Sequence, residues 1–183
     1  DLVRVIQQRL LLLLVAGISS LLSACVETGG EPMKTVDQVD LDRFMGDWYV
    51  VANIPTFLEK EAYNAVESYA LNPDGTIATT FTFNKGGFDG PKKTYHPKGF
   101  VLDEQTNARW GMQFLWPIKA DYRVIYLDED YQTTVIGRAK RDYVWVMSRT
   151  PEFSDAEFKT MQTFIKDVGY DPTKLQRVPQ QGG

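Results

Sequence analysis

Between residues 46 and 150 apolar side chains recur at every second position, and beyond 150 the period becomes that of a helix. The stretch 108–116 is the clearest: Trp110, Met112, Phe114 and Trp116 fall on one side, Arg109, Gly111 and Gln113 on the other. Successive strand side chains point to opposite faces, so one face of this strand is apolar and aromatic while the other can be wet. Residues 76–84 repeat the pattern, with Ile77, Phe81 and Phe83 set against Ala78, Thr80, Thr82 and Asn84. The whole pattern predicts strands at 46–54, 63–71, 76–84, 92–103, 108–116, 121–128, 133–140 and 143–149. Asn72-Pro73-Asp74-Gly75 marks a tight hairpin, and Asp128-Glu129-Asp130 and Lys140-Arg141-Asp142 mark later turns. Short strands at this spacing predict a closed antiparallel barrel or a sandwich, and closure removes edges that would invite aggregation.

Ser154-Asp155-Ala156-Glu157 then has the form of a capping box, followed by Phe158, Met161, Ile165 and Val168 at helical spacing and a stop at Gly169. Residues 174–178 suit a last short strand. Residues 26–40 and 180–183 lack such periodicity, and the first of these is expected to be a tether.

The amino terminus has a different pattern. Arg4 and Arg9 precede an almost uncharged run from Leu10 to Leu22, and small Ser23 and Ala24 lead into Cys25. That is the layout of an export signal, and the run is short of the roughly 20 residues that a spanning helix needs. With Leu22-Ser23-Ala24-Cys25 at its end, the segment resembles a bacterial lipoprotein signal, the alternative being an ordinary secretory signal with an incidental cysteine. The resemblance implies lipidation of Cys25, palmitate-type acyl chains at its new amino terminus, and removal of residues 1–24. Val26 in place of an aspartate implies sorting to the outer membrane, with the domain facing the periplasm. Acyl chains contribute about 0.8 kcal/mol per buried CH₂, so two or three of them make release negligible.

Charge and chemistry narrow the function. The chain carries 24 acidic and 20 basic residues, and loss of Asp1, Arg4 and Arg9 takes the net charge from −4 to −5. That balance gives no electrostatic case for nucleic acid. His96 is the only histidine and Cys25 the only cysteine, so no common metal site and no Cys-His pair can be assembled; no cofactor and no enzymatic activity are expected. His96 lies in Tyr95-His96-Pro97, placed mid-strand or at a bulge because proline is unwelcome in a paired central strand. Of the acidic residues Glu67, Asp103 and Glu104, Glu67 is singled out. Period two carries it to the interior if Tyr69 and Leu71 face inward, and an outward-facing Glu67 remains the alternative.

Gly46-Asp47-Trp48-Tyr49, Asp121-Tyr122-Arg123-Val124-Ile125-Tyr126, and Tyr143-Val144-Trp145-Val146-Met147-Ser148-Arg149-Thr150-Pro151, in this order and with a helix after them, resemble the lipocalins. The particular likeness is to bacterial outer-membrane lipoprotein lipocalins related to apolipoprotein D, over about residues 22–180. It implies an all-β fold, an eight-stranded antiparallel up-and-down barrel with one C-terminal α-helix packed outside. The lipocalin domain would span 41–179, after a signal peptide at 1–24 and a lipidated tether at 25–40, and before a tail at 180–183. Gly46, Trp48 and Arg149 would form a structural floor, the arginine lying across the indole in a cation–π contact of roughly 0.5–2 kcal/mol.

A barrel of this size can enclose one small ligand. The candidate wall is Ile77, Phe81, Phe83, Phe100, Trp110 and Met112, continued by Phe114, Tyr122, Val124, Tyr126, Trp145 and Met147, with Glu67 as a candidate contact to a head group. A one-residue slip in the last strand would exchange Trp145 and Met147 for Val144 and Val146. The apolar Ile54, Phe57 and Leu58 of the first loop would cover the mouth, touch membrane or join a partner subunit. The resemblance implies fatty acids or lysophospholipids as ligands, lipid storage or transport for envelope maintenance under stress, and a homodimer. A filled barrel acting as an anchored scaffold and an enzyme acting on a barrel-bound lipid are the alternatives.

Overall fold

The computed structural model describes residues 31–182. The signal segment and Cys25 lie outside the described residues. The strands are β1 Gly46–Ile54, β2 Ala62–Leu71, β3 Ile77–Lys85, β4 Lys92–Tyr95, β5 Lys98–Val101, β6 Arg109–Leu115, β7 Ile118–Leu127, β8 Thr133–Gly137, β9 Val144–Ser148 and the two-residue β10 Gln176–Arg177. Each pairs antiparallel with its neighbour, and β1 pairs with β9 to close the sheet. Both β4 and β5 pair with β3. They are two halves of one strand, interrupted at His96-Pro97, where the proline has no N–H to donate. Counted so, the closed barrel has eight strands, and β10 adds to the outside of β1.

Two apolar clusters share the sheet. One fills the lower barrel with Phe44, Trp48, Tyr69, Trp110 and Met147. The other lies outside, where Val51, Ile54, Ile125 and Val146 meet Met161 and Ile165 of the helix Asp155–Asp167. The capping box starts that helix: Ser154 Oγ accepts from Glu157 N at 3.2 Å, and Ser154 N donates to Glu157 Oε2 at 2.7 Å. An alternating strand serves both clusters at once, which is why β9 buries Val144 and Val146 outward and turns Trp145 and Met147 inward.

Strict alternation fails at bulges, where one extra residue flips the phase of the rest of the strand. The β7–β8 register shifts between Val124 and Tyr126. Val124 faces the lumen, and Ile125 and Tyr126 both face outward. Tyr126, expected in the lumen wall, packs edge-on to Phe164 of the helix with ring centroids 5.5 Å apart. Phe100 is likewise not a lumen residue. The inward positions of β5 and its lead-in are Tyr95, Pro97, Gly99 and Val101, and Phe100 lies on the outer face beneath Lys119 Nζ, 3.7 Å from its ring centroid. Glycine occupies the inward position because a Cβ at Gly99 would meet Ile77 Cβ at 3.2 Å.

The expected tether and tail also need correction. Val39 is fully buried, Val36 N donates to Val124 O at 3.0 Å, and Val39 N donates to Thr106 O at 2.7 Å. Apolar Met33, Val36 and Val39, three residues apart, give this segment a face to bury, so the domain begins before residue 41. At the other end Gln180 Nε2 donates to Val50 O and Ala65 O at 2.8 and 2.9 Å, using carbonyls beside the bulges of β1 and β2. Ile54, expected in the loop, ends β1 and is buried against the helix side. Among the described residues no helix is long and apolar enough to cross a membrane.

Candidate ligand-binding site

The lower end of the barrel is sealed by packed aromatics and a single arginine. Asp40 caps the short helix Leu41–Phe44, which inserts Phe44 against Trp48, Tyr69 and Trp110 at centroid distances of 5.1, 5.7 and 5.5 Å. Trp48 Nε1 donates to Phe44 O at 2.9 Å. Arg149 stands 3.8 Å from the Trp48 ring centroid and donates to the carbonyls of Asp47, Arg43, Phe44, Met45 and Tyr131. Gly46 has φ +96° and its missing Cβ lies 3.3 Å from Arg149 Nη1, so a side chain there would be strained and crowded.

Above this floor the strands enclose a cavity of about 290 Å³. Its wall includes Phe81, Met112, Tyr122 and Trp145 from the expected set, with Phe114 at the mouth and half exposed. Tyr122 stacks between Trp110 and Trp145 at 5.5 and 6.1 Å. Ile77, Phe83, Trp110, Val124 and Met147 also face inward but belong to the packed core rather than the cavity wall.

Glu67 faces the lumen and is buried, level in register with Trp48 on one side and Phe81 on the other. Its Oε2 is buried without a hydrogen-bond partner. Burial, and secondarily the charge of Glu59, holds its pKa well above the ordinary 4.5. The hydroxyls of Tyr69 and Tyr122 hydrogen-bond to each other, and burial first of all raises both pKa values. Asn53, opposite Trp145 in register, also buries an unpartnered Oδ1.

Glu59 is the residue that the sequence pattern did not single out. The turn after β1 folds it back over the mouth: Thr56 N and Oγ1 donate to Glu59 Oε2 at 3.0 and 2.7 Å, and Trp145 Nε1 donates to Oε1 at 2.7 Å. Burial raises its pKa, and these hydrogen bonds oppose the rise. Thr56-x-x-Glu59 has the capping-box spacing, which was the available signal, here spent on a turn rather than a helix.

Two further charges of the cavity wall are matched. Arg138 Nε donates to Asp142 at 2.8 Å, and Asp121 accepts from Arg123 Nε at 2.9 Å and from Ala139 N at 2.7 Å. Phe57, Leu58 and Phe114 line the entrance, and the adjoining Leu115, Trp116 and Ile118 are largely exposed. His96 and Asp103 stand outside the site: His96 Nδ1 is 3.4 Å from Thr80 Oγ1, and Asp103 accepts from Gln105 N and Thr106 Oγ1 in its own turn.

This arrangement can hold a slender apolar molecule. A family model described as a lipocalin-like domain matches residues 39–180. The chain is 34% identical over 165 residues to temperature-induced lipocalin-1 of Arabidopsis thaliana, covering 84% of this chain and 86% of that one. It is 29% identical over 178 residues to outer membrane lipoprotein Blc of Escherichia coli K12, covering 95% and 99%. Among solved structures, insecticyanin of the tobacco hornworm Manduca sexta matches with a TM-score of 0.62 at 14% identity, over 80% of this chain and 83% of that one, a likeness of fold alone. With the closed barrel, the external helix and a family match across most of its length, the chain belongs to the lipocalin-like family.

Proposed function

We propose that this lipocalin binds, stores or carries single-chain lipids of the fatty acid or lysophospholipid kind, anchored through acylated Cys25 to the outer membrane of a bacterial envelope. The observation that carries the reading is the 290 Å³ cavity with its aromatic and aliphatic wall above the packed floor. Small-molecule sites span roughly 300–1,000 Å³, so this one stands at the low end and suits one acyl chain better than two. The open space speaks against a filled scaffold barrel. The name outer membrane lipoprotein Blc, borne by a relative similar over 95% of this chain, supports the anchor and the location. Exposed Phe57, Leu115, Trp116 and Ile118 around the mouth support loading from a lipid surface.

Native mass spectrometry of the protein with lysophospholipid and with fatty acid tests the reading. A one-to-one adduct is expected, and it should be lost in Ala120→Trp, which fills the upper cavity from a partly exposed position. Absence of any adduct in the unaltered protein overturns it.

A further inference from the structure

The cavity wall contains four charged or acidic side chains besides its tyrosines: Glu59, Glu67, Asp121 and Arg138. Three are already occupied. Glu59 accepts from Thr56 and Trp145, Asp121 from Arg123 and Ala139 N, and Arg138 donates to Asp142. Of these four only Glu67 has a buried oxygen without a hydrogen-bond partner; Asn53 Oδ1 is also unpartnered, but Asn53 is not part of the cavity wall. Its electrostatic neighbours are Glu59, Tyr69 and Tyr122, none of them a cation.

A ligand entering methyl end first leaves Oε2 unpaired, and Glu59, Asp121 and Arg138 in the cavity wall already have partners. A ligand entering carboxylate first brings a negative charge beside Glu59 in a space shielded from water, where like charges repel strongly. A hydroxyl or a protonated amine meets neither difficulty, because it donates to the oxygen that lacks a donor.

We infer that the calyx takes a single-chain amphiphile polar end inward, that end being a hydrogen-bond donor without negative charge, a hydroxyl or a protonated amine set on Glu67 Oε2. The inference rests on the lumen being the ligand site and sharpens which lipid it prefers. Fatty acids then bind with the carboxylate outward and more weakly.

Calorimetric titration of the protein with dodecanol, dodecylamine and dodecanoate, each below its solubility limit or critical micelle concentration, tests it. Dodecanol and dodecylamine are expected to bind at least tenfold more tightly than dodecanoate. Glu67→Met should bring all three within threefold of one another. Glu67→Gln, which keeps the shape and a hydrogen-bonding amide but cannot ionise, should retain dodecanol within threefold and lose tenfold or more for dodecylamine; this arm stands even if Glu67→Met fails to fold. Dodecanoate binding as tightly as the other two, or an unchanged order in Glu67→Met and Glu67→Gln, overturns the inference and leaves the lipid calyx standing. No binding of any of the three overturns both.

Discussion

The floor and the lumen of this barrel treat buried polar groups in opposite ways. At the floor every buried donor is used: Trp48 Nε1 reaches Phe44 O, and Arg149 reaches five backbone carbonyls while stacking on the Trp48 ring. In the lumen, two strand residues away from Tyr69, Glu67 keeps a buried oxygen without a partner. An unpaired buried polar atom costs about 1–3 kcal/mol. A fold that satisfies five carbonyls with one arginine could have satisfied one carboxyl too. The difference teaches that the floor serves stability alone, whereas the lumen holds back a hydrogen-bonding position that a packed core would not retain.

The comparison breaks most visibly at the floor. Trp48→Ala should destabilise the protein by about 3–5 kcal/mol, since it empties a fully buried indole site and removes the surface on which Arg149 stacks. Urea unfolding measures this, and a loss below about 1 kcal/mol would show that the floor is not the stable half. Glu67→Met should act in the opposite sense, stabilising the ligand-free protein by about 1–3 kcal/mol in the same assay because it replaces an unpaired acid with an apolar side chain of similar length.

The pH dependence arises from the same residue. The folded-state pKa of Glu67 lies above its unfolded 4.5, so above that pH the folded state binds more protons than the unfolded state. Its contribution to stability is therefore fully present below about 4.5 and declines as pH rises through the raised folded-state pKa. The exposed acids with lowered pKa values, Asp74, Asp103, Asp171 and Glu157, act in the other direction and at lower pH, where their contribution is lost on acidification. Melting temperatures at pH 5 and pH 8 should differ less in Glu67→Met than in the unaltered protein; an equal difference would place the titration elsewhere. The smallest effect expected is at the mouth. Thr56→Val removes one hydrogen bond to Glu59 and should lower stability by about 1 kcal/mol, with a change in the fluorescence of Trp145, whose Nε1 that carboxylate holds.

The strands, the hairpin at Asn72-Pro73-Asp74-Gly75 and the capping box at Ser154 were legible because each rests on local chemistry: alternation of apolar residues, a turn residue able to take positive φ, and a side chain aimed at its own helix end. The lumen wall departs from simple alternation where the strands are interrupted. The extra residue at Ile125 sends Tyr126 to the helix, and the break at His96-Pro97 gives the inward positions to Gly99 and Val101 rather than to the more apolar Phe100. Glu59 escaped notice because its partner Trp145 lies 86 positions away in the chain.

By itself the sequence determined the number and order of strands and the helix that follows them, since periodicity and turn chemistry act over a few neighbouring positions. Only the tertiary structure decided which aromatics face the lumen, that residues before 41 and after 179 pack onto the barrel, and that Glu67 is left unpaired while Glu59 is not. Those outcomes depend on bulges and on contacts between distant strands, where the competition for each buried hydrogen bond is settled only once the barrel has closed.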